Sequence, residues 1–213
     1  MDVQKIADGL WRWTALHPDW TPKSDWDEEV ASFYVESEGD VVLVDPLVPG
    51  DDRDRERFLE ALDRDVERAG APAIVLTVYW HERSATELSE RYEGTTVWSF
   101  APTLDRVEGK VTNPFTADDT LPGGIRALQA DREEIVLWIP SHRALVVGDV
   151  LLGDAEGGLR VAPDDWFAEG TDPQAFRAAM RPLLELPVER ILVGHGRPVL
   201  ENAQAKLAKA LSG

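Results

Sequence analysis

The sequence predicts a mixed α/β fold in a single domain spanning residues 1–213, and three observations support this. Apolar runs rich in β-branched residues recur along the chain, as in A-I-V-L-T-V (73–78), and such runs are typical of strands buried on both faces. Charged, amphipathic segments such as residues 51–70 separate these runs, as helices do in layered α/β proteins. The Pro and Gly residues are scattered and form no linker or repeat, so we expect one domain.

The composition excludes several classes of function. Forty acidic residues against 22 basic ones give a formal net charge of -18, which repels nucleic-acid backbones and anionic membranes. Because the chain has no Cys, it cannot form disulfides, thiolate nucleophiles or Cys-based zinc sites, and any metal must be bound by His, Asp or Glu. No apolar run reaches the ~18 residues of a membrane span, and the N-terminus lacks a signal-peptide pattern. We therefore expect a cytoplasmic protein without nucleic-acid or membrane partners.

In the first part of the chain, two strands precede a helix. The runs S-F-Y-V and V-V-L-V, joined through E-S-E-G-D, predict a hairpin within residues 32–44 that ends at Asp45. Residues 51–70 predict a helix, because apolar residues recur there near helical spacing and Gly70 provides a stop.

The strand at 73–78 leads into a short loop and then a second helix. Ser84 and Glu87 match the S-x-x-E capping box, which predicts that this helix begins after Ser84. Residues 79–83 therefore form a loop at the carboxyl end of a buried strand. In layered α/β proteins such loops usually carry ligand and catalytic groups.

The second half of the chain repeats this alternation. Asp172 and Pro173 are typical of an N-cap and a first helical residue, and the last stretch of the chain is rich in helix formers. Strands are predicted at 95–100, 125–130, 134–139, 144–151 and 190–193.

Two residues of the second half stand in unusual settings. His195 lies in a G-H-G turn after a buried strand, where the glycines permit close backbone approach. Asp149 follows Gly148 inside the apolar run A-L-V-V-G-D-V-L-L, where a carboxylate is costly unless it is paired, coordinated or protonated. Taken alone, each residue also fits a structural role in a turn or a loop cap.

The order of V-V-L-V-D-P (41–46), A-I-V-L-T, A-L-V-V-G-D-V-L and I-L-V-G-H-G resembles the metallo-β-lactamase superfamily over almost the whole chain. That resemblance implies a four-layer αββα sandwich with the site along one edge of the paired sheets. In this family the strand ending in L-T is followed by H-x-H-x-D-H. Those side chains bind two metals together with a later His, the Asp of the G-D strand and the His of the G-H-G loop.

Several of the family's metal-ligand positions are changed in this sequence. The first two His positions fall on Val78 and Trp80, neither of which can ligate zinc. The acidic position is Glu82, one methylene longer, and the last His position is Arg83. The middle His falls on Asp131.

Other family positions match. Asp149 and His195 correspond directly to metal ligands, and Asp45 corresponds to a residue that supports the site from outside the ligand shell. The resemblance thus implies that one metal position is lost and that the other retains Glu82, Asp149 and His195. These three residues could hold one divalent ion, zinc or manganese, or none.

Arg83 opposes metal binding, because a guanidinium is always charged and has no acceptor atom. The expectation is that it lies among Glu82, Asp131 and Asp149 and supplies the positive charge by salt bridges in place of the ion.

The neighbouring loop residues are candidates for substrate binding. His81 is expected at the surface or just outside the ligand shell, with the alternative that the loop turns its imidazole inward as a replacement ligand. Trp80 is expected to contact substrate, and the loop tryptophans could together line a pocket for an apolar or planar ligand. These loop tryptophans are Trp20, Trp26, Trp80 and Trp166.

Two functions follow from this interpretation. One is a non-catalytic binding protein or pseudo-enzyme that keeps the sandwich and binds an unidentified small molecule. Such a protein could form a homodimer through its aromatic loops. The alternative is a hydrolase-like enzyme that uses one metal, or metal-free acid/base chemistry, at Glu82, Asp149 and His195. The candidate catalytic residues are Asp149, His195, Glu82, Arg83 and Asp131.

Overall fold

Two β-sheets packed face to face form the centre of the protein, whose computed structural model describes residues 1–167 and 169–212. The strands are β1 (Asp2–Ala7), β2 (Leu10–Leu16), β3 (Glu29–Ser37), β4 (Asp40–Val44), β5 (Ala73–Val75), β6 (Thr96–Phe100), β7 (Asn113–Phe115), β8 (Thr120–Leu121), β9 (Ile125–Gln129), β10 (Ile135–Ile139), β11 (Ala144–Val147), β12 (Leu151–Gly153), β13 (Leu159–Val161) and β14 (Arg190–Val193). The α-helices are α1 (Asp52–Ala69), α2 (Ala85–Arg91), α3 (Pro173–Met180) and α4 (Ala203–Ala210).

The first sheet contains β1 to β7 in chain order. Its first four strands are antiparallel, whereas β4, β5, β6 and β7 run parallel to one another. Helices α1 and α2 cover its outer face, where Leu62 and Leu88 pack against Leu43 and Ile74. Because β4 and β5 are parallel, their carboxyl ends meet at the same edge of the sheet.

The second sheet has the order β14-β11-β10-β9-β8, with β14 and β11 parallel and the other pairs antiparallel. Helices α3 and α4 cover its outer face, where Phe176 and Leu207 pack against Val147 and Ile191. The inner faces of the two sheets share one apolar core. Members of this core from both sheets include Phe33, Val35, Val44, Leu137, Val146 and Leu192. The predicted four-layer αββα architecture is therefore confirmed.

Two predicted strands are shorter than the apolar runs that predicted them. Strand β5 ends at Val75 because the chain then crosses towards the second sheet, where Thr77 O accepts from Ile135 N at 2.9 Å and Val78 bridges Glu134. The run at 144–151 is divided into β11 and β12. Residues between these two strands donate their N–H groups to a buried side chain instead of to a neighbouring strand.

The helices begin where the sequence predicts, but one of the predicted N-caps is wrong. Helix α2 begins after Ser84, yet the Ser84 hydroxyl accepts from Val48 N at 2.9 Å, and Glu87 pairs with Arg55 of α1. The predicted capping box is therefore absent, because tertiary partners compete for both side chains. The Asp172 cap is confirmed, since its carboxylate accepts from Gln174 N at 3.0 Å.

None of the helices within residues 1–167 and 169–212 combines the length with the apolar composition that a bilayer crossing needs.

The loop that carries His195 packs tightly against β12. Gly196 has a φ of +84°, and a Cβ at this position would lie 2.1 Å from Gly153 O. This close approach explains why the turn after β14 needs glycine on the far side of His195.

We predict that Gly196→Ala destabilises the protein more than Gly157→Ala does. Gly157 has a similar φ of +74°, but a Cβ at this position would have no atom within 4 Å, so its substitution costs only the left-handed backbone, about 1–2 kcal/mol. Gly196→Ala adds a steric overlap worth roughly 1–3 kcal/mol more. Urea unfolding of both variants measures the difference, and equal losses would contradict the tight packing of the His195 loop.

Candidate functional site

Four polar side chains meet at the edge where parallel strands of both sheets end. Asp45 follows β4, His81 lies beyond β5, Asp149 follows β11 and His195 follows β14, and all four are buried. This is the edge at which layered α/β proteins place their ligands.

His81 is turned into the protein by a short 3-10 turn at Tyr79–Glu82. His81 N donates to Val78 O at 3.1 Å, and the residue is only 3% exposed. Its Nδ1 donates to Asp45 Oδ2 at 2.9 Å, which leaves Nε2 facing Asp149. The expectation of a surface or outlying position was therefore wrong, and the alternative of an inward-facing imidazole describes the structure.

Asp149 lies between the two histidines. Its Oδ1 is 3.3 Å from His81 Nε2 and 3.3 Å from His195 Nε2. Neither contact has the alignment of a hydrogen bond, so this buried oxygen has no hydrogen-bond partner in the described part of the chain. One ligand atom from each of His81, Asp149 and His195 lies within 4.8 Å of the others, and we call these three residues the triad.

Trp80 and Glu134 hold Asp149 in place. Trp80 Nε1 donates to Asp149 Oδ2 at 2.7 Å. Buried Glu134 accepts at Oε1 from Asp149 N at 2.9 Å and from Val150 N at 3.2 Å, which ends β11 and fixes the turn. Glycine at 148 is required, because a Cβ there would lie 2.5 Å from Thr77 Oγ1.

Glu134 was missed by the sequence analysis. The available signal was an acid directly before the buried run I-V-L-W-I, where an uncompensated carboxylate would be costly. Burial and the nearby Asp149 raise the pKa of Glu134 well above its usual range, although the N–H groups of Val150 and Asp149 oppose this. The protonated acid is therefore favoured.

The triad carries strongly coupled charges. Burial alone would raise the pKa of Asp149, but His81 and His195 outweigh it and hold this pKa well below its usual range. Burial and Arg83 alone would lower the pKa of His81, yet Asp149 and Asp45 together raise it to about 9. Both shifts favour an imidazolium at His81 paired with a carboxylate at Asp149.

Arg83 does not make the ion pairs expected of it. Its φ is 42°, and its Nη1 donates to Ala31 O at 2.8 Å and to Asp45 O at 2.9 Å. Within residues 1–167 and 169–212 no salt bridge joins it to Glu82 or Asp149. Nη1 is thus committed to main-chain carbonyls, and the partly buried guanidinium is a positive charge beside the triad rather than a bridge among the acids.

Glu82 and Asp131 lie outside the triad. The 3-10 turn points the side chains of His81 and Glu82 in different directions. Glu82 therefore faces away from the triad and accepts from Gly109 N at 2.8 Å and from Thr86 Oγ1 at 3.2 Å. Asp131 Oδ1 accepts from Thr171 Oγ1 at 3.2 Å. The structure thus brings His81, rather than the expected Glu82, together with Asp149 and His195.

A cavity of about 430 Å³ opens above the triad. Three of the four loop tryptophans line it, namely Trp26, Trp80 and Trp166. Trp20 instead supports the wall, because its Nε1 donates to Trp26 O at 2.8 Å. Arg83 also borders this cavity.

We predict that the metal-free protein loses stability as the pH rises towards 9. The folded-state pKa of His81 is raised from 6.5 to about 9, so its contribution is fully present below pH 6.5 and is lost as the pH rises through about 9. Relative to His81→Gln, the free energy of unfolding in EDTA should fall by up to about 1.4 kcal/mol per pH unit across this range. His142→Gln is the control and should follow the wild type, whereas parallel curves for wild type and His81→Gln would contradict the coupling.

Comparison with solved structures identifies the fold. DIM-1 metallo-β-lactamase matches with a TM-score of 0.68 and 15% identity, over 99% of this chain and 95% of that chain. The metallo-β-lactamase from Pontibacter korlensis matches with a TM-score of 0.70 and 18% identity, over 99% and 97%. A metallo-β-lactamase family protein from Thermus thermophilus matches with a TM-score of 0.66 and 15% identity, over 98% and 80%.

No protein-family model and no curated protein matches the sequence. Structural likeness at such low identity concerns architecture alone, since one fold hosts many chemistries. The architecture, the strand-end site and these matches agree: the protein has the metallo-β-lactamase fold.

Proposed function

We propose that this protein is a hydrolase-like enzyme that binds one divalent metal ion at the triad. The observation that carries the proposal is the convergence of one ligand atom from each of His81, Asp149 and His195 within 4.8 Å, with Asp149 Oδ1 3.3 Å from Nε2 of both histidines. Two imidazoles and one carboxylate form a common ligand set of catalytic zinc sites, in which a further position stays open for water or substrate.

The residues around the triad fit such an ion. Asp149 Oδ1 is buried without an aligned hydrogen bond and faces both imidazoles at 3.3 Å, so the three side chains point their ligand atoms at a common space. Asp45 accepts from His81 Nδ1, the carboxylate–histidine contact that usually fixes the ring of a metal ligand. His195 lacks this support, because its Nδ1 is buried and without a partner among the described residues.

The residues support one ion rather than two. The described part of the chain contains a single group of three or more metal-binding side chains, the triad itself. Val78 and Trp80 offer no ligand atom to Zn²⁺, and the Arg83 guanidinium has no acceptor. His142 is committed elsewhere, since its Nε2 lies 3.1 Å from Glu36 O.

When bound, a divalent ion lowers the pKa of a coordinated water and so supplies hydroxide for hydrolysis near neutral pH. The protein's own residues prepare the site. Trp80 holds the side chain of Asp149 and Glu134 holds its main chain, and Asp45 directs His81 Nε2 towards Asp149. His81 must lose a proton to become a ligand, so affinity for the ion rises with pH.

Two of the matched structures are metallo-β-lactamases by name, and hydrolysis is transferred to this chain from that likeness as a proposal. The substrate is not transferred with it. We also propose a small-molecule substrate, rather than nucleic acid or an anionic membrane, because the formal charge of -18 repels both of these polyanions.

A second candidate is a metal-free binding protein, and the charge balance of the site favours it. Protonated His81 and buried Arg83 can neutralise the Asp45 and Asp149 carboxylates without any ion. The tryptophan-lined cavity would then bind a ligand without catalysis.

Metal uptake distinguishes the two candidates. We predict that protein stripped with EDTA takes up one equivalent of Zn²⁺ or Mn²⁺, measured by calorimetry and elemental analysis. His81→Ala and His195→Ala should abolish stoichiometric uptake, because each removes one of three ligands.

Glu82→Gln is the matched control. Glu82 is a neighbouring acid that binds Gly109 N instead of facing the triad, so this variant should retain the ion. Lack of uptake by wild-type protein, or its loss in Glu82→Gln with retention in His81→Ala, would contradict the metal site.

A further inference from the structure

The mouth of the cavity above the triad is built from tryptophan rings. The ring centroids of Trp26 and Trp166 lie 5.7 Å and 5.8 Å from that of His195, inclined by 72° and 75°. Trp80, which is 41% exposed, lines the same cavity. Indole faces carry negative electrostatic potential, so these rings favour a cation as well as an apolar group.

The polar edges of two of these rings are already used. Trp166 Nε1 donates to Asp25 Oδ2 at 2.8 Å, and Trp80 Nε1 donates to Asp149 Oδ2 at 2.7 Å. These bonds hold the rings by their edges. The N–H donors of Trp80 and Trp166 are therefore not available to a ligand in the cavity.

The charges at the mouth are negative. Asp19 and Asp25 line the cavity and are exposed. The only Lys or Arg that lines it among the described residues is Arg83, whose Nη1 donates to two main-chain carbonyls. His81 and His195 also line the cavity but are buried, and burial and Arg83 lower the pKa of His17, which favours its neutral form.

A ligand with an anionic group would therefore meet two exposed carboxylates at the mouth, whereas the cationic Arg83 and His81 are less exposed and already lie near Asp45 and Asp149. An organic cation would meet carboxylates and aromatic faces together, which is the arrangement that recognises quaternary ammonium groups.

We propose that the mouth of this cavity is a subsite for an organic cation, an ammonium group of the substrate that packs against Trp26 and Trp166 beside Asp19 and Asp25. The inference rests on the proposed function, because it names the substrate class of the same cavity. The charged residues of the subsite, Asp19 and Asp25, are not proposed metal ligands, so the subsite can be tested in metal-free protein.

The test compares three probes of one shape on EDTA-stripped protein. Choline is the cation, 3,3-dimethyl-1-butanol is its uncharged analogue and 3,3-dimethylbutanoate is the anion. Binding is followed by the indole N–H signals in NMR titrations. Choline should bind about tenfold more tightly than the alcohol, and the anion should bind most weakly, since cation–π and carboxylate attraction act on choline alone.

Variants locate the site. Trp26→Ala and Trp166→Ala should each weaken choline binding about five- to tenfold. The ratio of the affinities for the alcohol and for the anion should remain small in both variants. Trp11→Ala is the matched control, because Trp11 is an exposed tryptophan of β2 that does not line the cavity, and it should bind choline as the wild type does.

Trp26 also packs on Ala15, Val30 and Leu47, so its loss can disturb folding. Asp19→Asn avoids this difficulty, since it removes one exposed charge, and it should weaken choline binding without changing the affinity for the alcohol. Equal affinities of wild-type protein for choline and the alcohol, no choline binding, or equal losses in Trp11→Ala and Trp166→Ala would each overturn the subsite. Because no metal is present, none of these results depends on metal uptake.

Discussion

The carboxylate of Asp45 is the contact on which the site depends. It accepts from Thr77 N at 2.8 Å, from Thr77 Oγ1 at 2.6 Å and from His81 Nδ1 at 2.9 Å. These bonds join the end of β4 to the segment that leaves β5, where the chain crosses between the sheets. They also orient a buried imidazole, whose Nδ1 otherwise has only the longer contact of 3.3 Å to Thr77 Oγ1. The fold thus determines which atom of His81 faces Asp149, and the geometry of the triad follows.

The buried charges explain why two functions compete for the same site. Asp45 and Asp149 need positive charge nearby, and Arg83 is a fixed source of it behind the triad. The remaining positive charge can come from a proton on His81 or from a divalent ion. These two occupants exclude each other, because an imidazole nitrogen that binds a metal cannot hold a proton. On the proposed function, binding of the ion would therefore displace a proton from Nε2 of His81.

The sequence predicted the architecture well and the site less completely. Strands and helices followed from apolar periodicity and glycine stops. Asp149 and His195 were recognised by their settings in an apolar run and a G-H-G turn, and the family resemblance added Asp45. The loop at 79–83 was misread. Its side-chain directions depend on a 3-10 turn and on the positive φ of Arg83, and neither has a hydrophobic pattern to reveal it. The choice between His81 and Glu82 is therefore made by Asp45, a contact 36 residues away in the chain. The prediction that Ser84 caps helix α2 was wrong for a similar reason, because Val48 N competes for its hydroxyl.

The central claim is that His81, and not its neighbours in the loop, completes a metal site with Asp149 and His195. A crystal grown with Zn²⁺ and measured on both sides of the zinc absorption edge tests it most directly. The account predicts a single anomalous peak bounded by His81 Nε2, Asp149 Oδ1 and His195 Nε2, with Glu82 still bonded to Gly109 N. A peak beside Glu82, two peaks in the cavity, or none while His81 remains paired with Asp149 would contradict it.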